Sequence, residues 1–246
     1  MQKLLTYLVL MLGITFTAHA QGLPPLVLGT SADYAPFEFV KDGQVVGFDI
    51  DVAKAVAEKM GRTLEIKEMD FAALIPALQA GRVDMVMAGL NPTAERARAV
   101  DFSIPYYRAT FAVISPKAAP IKAPGEFVEK NIGVQLSSTM ESYVRQEALR
   151  TGNVEITPVA SAINLVQELK VGRVDAIVVD AGVAHQAVTS LGKEYWVYTT
   201  LYVGDLGKNV IALQKGSALR EKIDTALRTL DTSGWLDTTA SRWNMQ

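Results

Sequence analysis

Leu74-Ile75-Pro76-Ala77-Leu78-Gln79-Ala80-Gly81-Arg82-Val83-Asp84-Met85-Val86-Met87 and Leu165-Val166-Gln167-Glu168-Leu169-Lys170-Val171-Gly172-Arg173-Val174-Asp175-Ala176-Ile177-Val178 align without a gap. Two leucines four residues apart, Gly-Arg-Val-Asp and a closing apolar run recur in register. Each copy predicts a helix with apolar residues at i and i+4, a glycine just past its end where positive φ is needed, and a short buried strand. Helix, glycine turn and strand form a unit of an α/β sheet. The copies lie too far apart for a solenoid, whose period is about 20–50 residues. They predict two similar lobes.

Working outward, each copy has a strand pattern upstream followed by a polar turn: Leu26–Thr30 in one half and Asn131–Gln135 in the other. The first leads to a helix over about 50–60, with Asp49 as its cap and Gly61 as its stop. The second leads to a helix over about 140–150 that stops near Gly152. Segment 111–116 is extended and carries the chain into the second lobe, and 198–205 brings it back. These are the expected hinge strands, and two crossings permit closure without free tumbling. A strand over 209–213 and helices over about 217–230 and 234–243 complete the first lobe. The expected division is 21–112 with 206–246 against 113–205.

Composition narrows the function. Of 246 residues, 49% are apolar and 20% charged, the range of ordinary globular chains. Lys and Arg number 24 against 26 Asp and Glu, which gives no basic surface for a phosphate backbone and excludes a nucleic-acid partner. No cysteine is present, so disulfides, thiolate nucleophiles and Cys-ligated zinc are ruled out. With His19 and His185 as the two histidines, neither a metal centre nor a cofactor is expected. Met1-Gln2-Lys3, the apolar run Leu4 to Phe16 and Ala18-His19-Ala20 read as a secretory signal peptide cleaved after Ala20. The run is shorter than the roughly 20 residues of a membrane span. An exported protein, held in a Gram-negative periplasm, is the expectation.

In open α/β sheets ligands bind beyond the carboxyl ends of strands. Past the first repeat stand Gly89 and Asn91, and past the second stands Asp180. Asn91-Pro92-Thr93-Ala94-Glu95-Arg96 reads as a helix start, with Asn91 as cap, Pro92 in the first turn and Arg96 close behind. Such a terminus attracts anions, and Arg96 can add a bidentate fork for a carboxylate or pair with Glu95. Asp180 emerges at a strand end, where it suits an amine or caps the helix over 181–191. Across a cleft, Arg96 and Asp180 would complement a zwitterion. Asp84 and Asp175, at strand starts on the far side, read as structural. Tyr34 and Phe71 are aromatic rings at loop positions near the same cleft.

Gly29-Thr30, Tyr34-Ala35-Pro36-Phe37-Glu38, Gly47-Phe48-Asp49-Ile50-Asp51, Leu74-Ile75-Pro76-Ala77-Leu78, Gly81-Arg82-Val83-Asp84, Thr93-Ala94-Glu95-Arg96 and Asp101-Phe102-Ser103 closely resemble the periplasmic polar-amino-acid-binding proteins of ABC importers. The match runs in order along the chain after residue 20. The resemblance implies a type II two-lobed α/β fold with a two-strand hinge. It also implies that Arg96 binds the ligand carboxylate and Asp180 the α-amino group. Gly89 and Asn91 would add further contacts, Ser138 and Thr139 would donate to the carboxylate, and Tyr34 and Phe71 would clasp the side chain. Three positions depart from the pattern. Asn91 replaces Ser or Thr, Ser137 replaces Gly, and Ser31 stands where several relatives carry Asp. Asp33, Glu38 and Asp70 are nearby acids for a cationic side chain, and Gln135 is a candidate for a polar tip.

The implied function is capture of a free L-amino acid, polar or basic with arginine favoured, by a monomer that delivers it to an inner-membrane ABC permease. The rival expectation is an enzyme on the same fold, a prephenate or arogenate dehydratase, which needs a cleft acid to protonate a leaving hydroxyl. Glu38 is the acid it would use.

Overall fold

The repeat folds as a matched pair of units, one in each of two five-stranded sheets. The computed structural model describes residues 23–192, 194–201 and 203–245, so the expected leader, residues 1–20 with His19, lies outside the described residues. The chain opens with β1 (Leu26–Thr30) and the short strands β2 (Asp33–Tyr34), β3 (Glu38–Lys41) and β4 (Gln44–Val46). Then come α1 (Phe48–Lys59), β5 (Leu64–Glu68), α2 (Leu74–Gln79), β6 (Met85–Val86), the short α3 (Arg96–Ala99) and β7 (Val100–Phe102). After a crossing strand, β8 (Tyr107–Arg108), follow β9 (Phe111–Pro116), β10 (Asn131–Gln135), α4 (Thr139–Thr151), β11 (Glu155–Val159) and α5 (Ala162–Lys170). The second lobe ends with β12 (Ala176–Asp180), α6 (Ala181–Leu191) and β13 (Tyr195–Leu201). The chain returns through β14 (Lys208–Asn209) and β15 (Ala212–Gln214) to α7 (Leu219–Thr232) and α8 (Trp235–Arg242).

The sheets have orders β5-β1-β6-β15-β7 and β11-β10-β12-β9-β13. In each, the central upstream strand pairs in parallel with two neighbours, β1 with β5 and β6, and β10 with β11 and β12. The fourth strand of each sheet is antiparallel and belongs to chain that is entering or returning, β9 in one lobe and β15 in the other. Short crossover helices oblige parallel pairing, and their apolar faces cover the sheets. Leu74 and Leu165, the leading residues of the repeat, are fully buried at equivalent places. Burying each such side chain is worth about 1.5–3 kcal/mol.

Three expectations are corrected. First, of the segments expected as hinge strands, 111–116 and the 198–201 part of 198–205 are strands inside the second sheet, so these stretches belong to the second lobe. The strands that pair between the sheets are β8 and β14, antiparallel, with Lys208 opposite Arg108 and Asn209 opposite Tyr107. Second, the single strand expected over 209–213 is divided at Val210, whose N–H bonds the Leu90 carbonyl as the chain passes from β14 into β15. Third, Asp49 does not cap α1. The cap position is Gly47, and Asp49 lies within the first turn with no exposure, its carboxylate turned inward.

Candidate functional site

The segment that follows β6 is fixed from several sides. Asp49 Oδ2 accepts the Gly89 N–H at 2.9 Å. The Asn91 amide donates to the Lys208 carbonyl at 3.2 Å and to Asn209 Oδ1 at 3.1 Å, both on β14. Asn91 Oδ1 accepts the Thr139 hydroxyl at 2.7 Å, from the other lobe. Asn91 is therefore a junction between rim, hinge and second lobe, not the helix cap expected of it. Thr93 takes the capping part, its Oγ1 accepting the Arg96 N–H at 3.0 Å while its carbonyl accepts the Ala97 N–H. A cap bonds the N–H three residues on, and Thr93 is the residue with that spacing to the first turn of α3.

Arg96 reaches across the cleft. Nη1 donates to the Asn91 carbonyl at 2.7 Å and Nη2 to the Ser137 carbonyl at 2.8 Å. The guanidinium stands 5.4 Å from the centre of the Phe71 ring, close enough for a cation–π contact. Burial lowers its pKa to about 10, with Glu95 opposing that shift. Asp180 ends β12 with no exposure. Its Oδ2 accepts the Tyr34 hydroxyl at 3.0 Å, its backbone N–H donates back to the same oxygen of Tyr34, and its Oδ1 has no protein partner. Its side chain makes no capping bond to α6, although Asp180 occupies the cap position. Burial raises the Asp180 pKa to about 7, an effect that the Tyr34 hydrogen bond offsets and the Asp49 charge adds to.

Gly89 stands beside Asp180: a Cβ built on it would lie 3.8 Å from Oδ2. Asn91, two residues on, touches Arg96. Two residues span at most about 7 Å, so the carboxylate and the guanidinium flank one short stretch of backbone. The second lobe presents the turn before α4. Ser137 has φ 63, the left-handed region that explains why a glycine suits this position. Ser138 accepts the Glu141 N–H through Oγ, and Glu141 Oε2 accepts the Ser137 N–H at 2.7 Å, which fixes the turn as a helix cap.

The ten residues read from the sequence fall into three groups. Phe71, Arg96, Ser138 and Thr139 line a cavity of about 400 Å³ between the lobes, together with Arg145 and Glu141. Tyr34, Gly89, Asn91, Gln135 and Asp180 form the buried layer, and the Gln135 amide nitrogen has no protein partner there. Ser31 is separate: its hydroxyl donates to Asp33, and it lines a pocket of about 290 Å³ with Asp33, Glu68 and Asp70. Tyr34 stacks on Phe37 at 5.8 Å and holds Asp180 through its hydroxyl, so its ring is not a free clasp facing Phe71. Glu38, expected as an acid for a cationic side chain, is fully buried beside the Asp49 carboxylate. Its burial, and then Asp49 beside it, raise its pKa well above the usual range.

Sequence reading took Asp49 for a helix cap and missed Tyr106 and Asn209. Tyr106 donates to Asp49 Oδ2 at 2.8 Å, and its N–H donates to the Asn209 carbonyl. The signal that could have found them is the placement of an acid inside an apolar helix face and polar residues flanking both crossings.

Comparison with known proteins identifies the family. The sequence model for bacterial extracellular solute-binding proteins, family 3, matches residues 26–246. The arginine-binding extracellular protein ArtP of Bacillus subtilis (strain 168) is 34% identical over 240 residues, covering 97% of this chain and 93% of that protein. The lysine/arginine/ornithine-binding periplasmic protein of Escherichia coli (strain K12) is 31% identical over 255 residues, covering 99% and 97%. Among solved structures, an ancestral arginine-binding protein bound to arginine superposes with a TM-score of 0.84 at 40% identity, covering 89% of this chain and 97% of that one. Each is a binding protein by name, and the solved structures share the type II two-lobed α/β fold, which favours binding over the dehydratase alternative. No helix among the described residues is long and apolar enough to cross a membrane. The chain belongs to the bacterial extracellular solute-binding proteins of family 3.

Proposed function

We propose that this protein captures L-arginine between its lobes and delivers it to an inner-membrane ABC permease. One observation carries the reading: a part-buried guanidinium and a fully buried carboxylate flank the same short backbone, and neither takes its hydrogen bonds from an opposite charge. A buried charge without a counter-charge costs several kcal/mol. A zwitterion relieves both costs at once, its carboxylate facing Arg96 and its ammonium facing Asp180. A guanidinium has five N–H donors, so bonds to two carbonyls leave others for a carboxylate.

Gly89 and Asn91 set the spacing, Ser138 and Thr139 close the carboxylate side, and Phe71 covers the side chain from the Arg96 end. Tyr34 orients Asp180. The side chain of the ligand runs toward Gln135 and Ser31, where Asp33, Glu68 and Asp70 provide negative charge for a cationic tip. The names of the relatives above agree with arginine. The lobes are the two sheets with their helices, divided at the β8–β14 pair. The protein acts as a monomer in the periplasm after removal of residues 1–20.

A thermal-shift screen over the twenty L-amino acids tests this, because a ligand that binds the native state alone raises the melting temperature. L-arginine is expected to give the largest shift. No shift with any amino acid would overturn the reading.

A further inference from the structure

Asp49 is an acid placed where an apolar residue would serve the helix better. It sits in the first turn of α1 among Phe48, Ile50, Val52 and Ala53, all with no exposure, and it does not cap the helix. Its burial is a cost that the favourable placement of a carboxylate in a first turn offsets only in part. What the carboxylate does is gather donors from two other elements. Oδ2 accepts the Gly89 N–H at 2.9 Å and the Tyr106 hydroxyl at 2.8 Å. Gly89 is the residue next to Asp180. Tyr106 precedes β8, and its N–H is bonded to Asn209 on β14. One oxygen therefore touches both the rim of the cleft and the paired crossings.

We propose that Asp49 is a positioning residue for ligand capture, which holds the Gly89 backbone in place beside Asp180 and ties that backbone to the hinge through Tyr106. The role rests on the arginine-capture reading above. Without Asp49 the Gly89 N–H is a buried donor with no acceptor, and the segment from Gly89 to Asn91 keeps its bonds at Leu90 and Asn91 but loses the one beside Asp180. Loss of this anchor displaces the ammonium side of the site while leaving the carboxylate side, held by Asn91 and Arg96, intact. The acceptor is what matters, so an asparagine, with an oxygen in the same place, preserves the role.

The test is isothermal titration of L-arginine into Asp49→Ala, Asp49→Asn, Tyr106→Phe and the wild type, with ligand-free thermal melts beside each. Asp49→Ala is expected to weaken binding about tenfold or more while still melting cooperatively. Asp49→Asn should stay within about threefold of the wild type, and Tyr106→Phe should fall between them. Wild-type affinity in Asp49→Ala, with a lowered melting temperature, would mean a structural role and overturn the proposal. Asparagine as poor as alanine would overturn it as well. If Asp49→Ala does not melt cooperatively, Tyr106→Phe decides: weakened binding supports the link and unchanged binding overturns it. A wild type that binds no amino acid overturns the arginine reading and this role together, whereas a binding wild type with indifferent variants overturns this role alone.

Discussion

The two lobes repeat each other at the bottom of their sheets and part company at the top. In both, the aspartate of the repeat closes the start of its strand onto the central strand. Asp84 Oδ2 accepts the Val27 N–H at 2.9 Å, and Asp175 Oδ2 accepts the Asn131 N–H at 2.8 Å. In both, the repeat glycine is left-handed, Gly81 at φ 68 and Gly172 at φ 73. In both, a glycine of the central strand takes the helix leucine and the valine before the next strand against its bare backbone. At the other end of the same strands nothing matches. β6 gives way to a folded segment with Gly89, Asn91 and Arg96, whereas β12 ends on Asp180 and passes straight into α6. Where the repeat serves the scaffold it is kept. Where it meets the cleft, one lobe supplies the cation and the other the anion.

The most direct way to break the comparison is to remove that charge difference. Arg96→Ala and Asp180→Ala should each cost about 2–5 kcal/mol of binding, because one end of a buried zwitterion loses its partner. Titration calorimetry is expected to show near-complete loss of L-arginine binding in both, with cooperative ligand-free melting retained. Equal loss from the two sides would sharpen the view that the lobes share one task.

The pH dependence comes next. Asp180 must be ionised to face an ammonium, and its pKa is raised to about 7, so affinity should fall by up to about tenfold per pH unit below that value. Stability without ligand runs the other way. A carboxylate whose folded pKa exceeds its unfolded value binds more protons when folded, so stability declines as pH rises from the ordinary carboxylate range toward about 7. Melts between pH 4 and 8 should show that slope, and Asp180→Asn should flatten part of it. Glu38 and Asp49, raised in the same direction by burial, supply the remainder.

The glycine contacts offer a smaller test. A Cβ at Gly133 would lie 2.7 Å from the Leu165 side chain, whereas at Gly29 its nearest neighbour, Val83, is 3.2 Å away. Overpacking of a core costs about 1–3 kcal/mol. Urea unfolding should place Gly133→Ala in that range and Gly29→Ala below it. The smallest effects belong to Asp84→Ala and Asp175→Ala, about 0.5–1.5 kcal/mol each for the shared hydrogen bond, with the Arg62 ion pair adding a little at Asp84. Similar values would confirm that this joint is equivalent in the two lobes.

How much of this could be read beforehand follows the same division. The paired sheets were legible because a helix, a glycine stop and an apolar strand leave a local pattern, and the pattern occurs twice. Asp180 stands at a strand end and Arg96 at a helix start beside a strand-end loop, places that make them candidates. The rim was less legible because its geometry depends on partners far along the chain. Asn91 looks like a cap until Lys208 and Asn209 arrive to hold its amide. Asp49 looks like a cap until Gly89 and Tyr106 claim its oxygen. The hinge was misplaced for a related reason: β9 is apolar enough to cross between lobes or to lie in a core, and pairing with β12 and β13 settles which.

Asp33 shows what such long-range partners imply for capture. On the first lobe, its Oδ2 accepts the N–H of Ala162, the opening residue of α5 on the second, at 2.8 Å. With Arg96 on the Ser137 carbonyl and Thr139 on Asn91, this joins the lobes through protein atoms alone. Each such bond is worth about 0.5–1.5 kcal/mol net. Bonds of this kind stabilise the shut arrangement relative to an open one, and the apparent affinity scales with the population of the binding-competent state. Substitutions at Asp33, remote from Arg96, would tune capture by changing how readily the two lobes close.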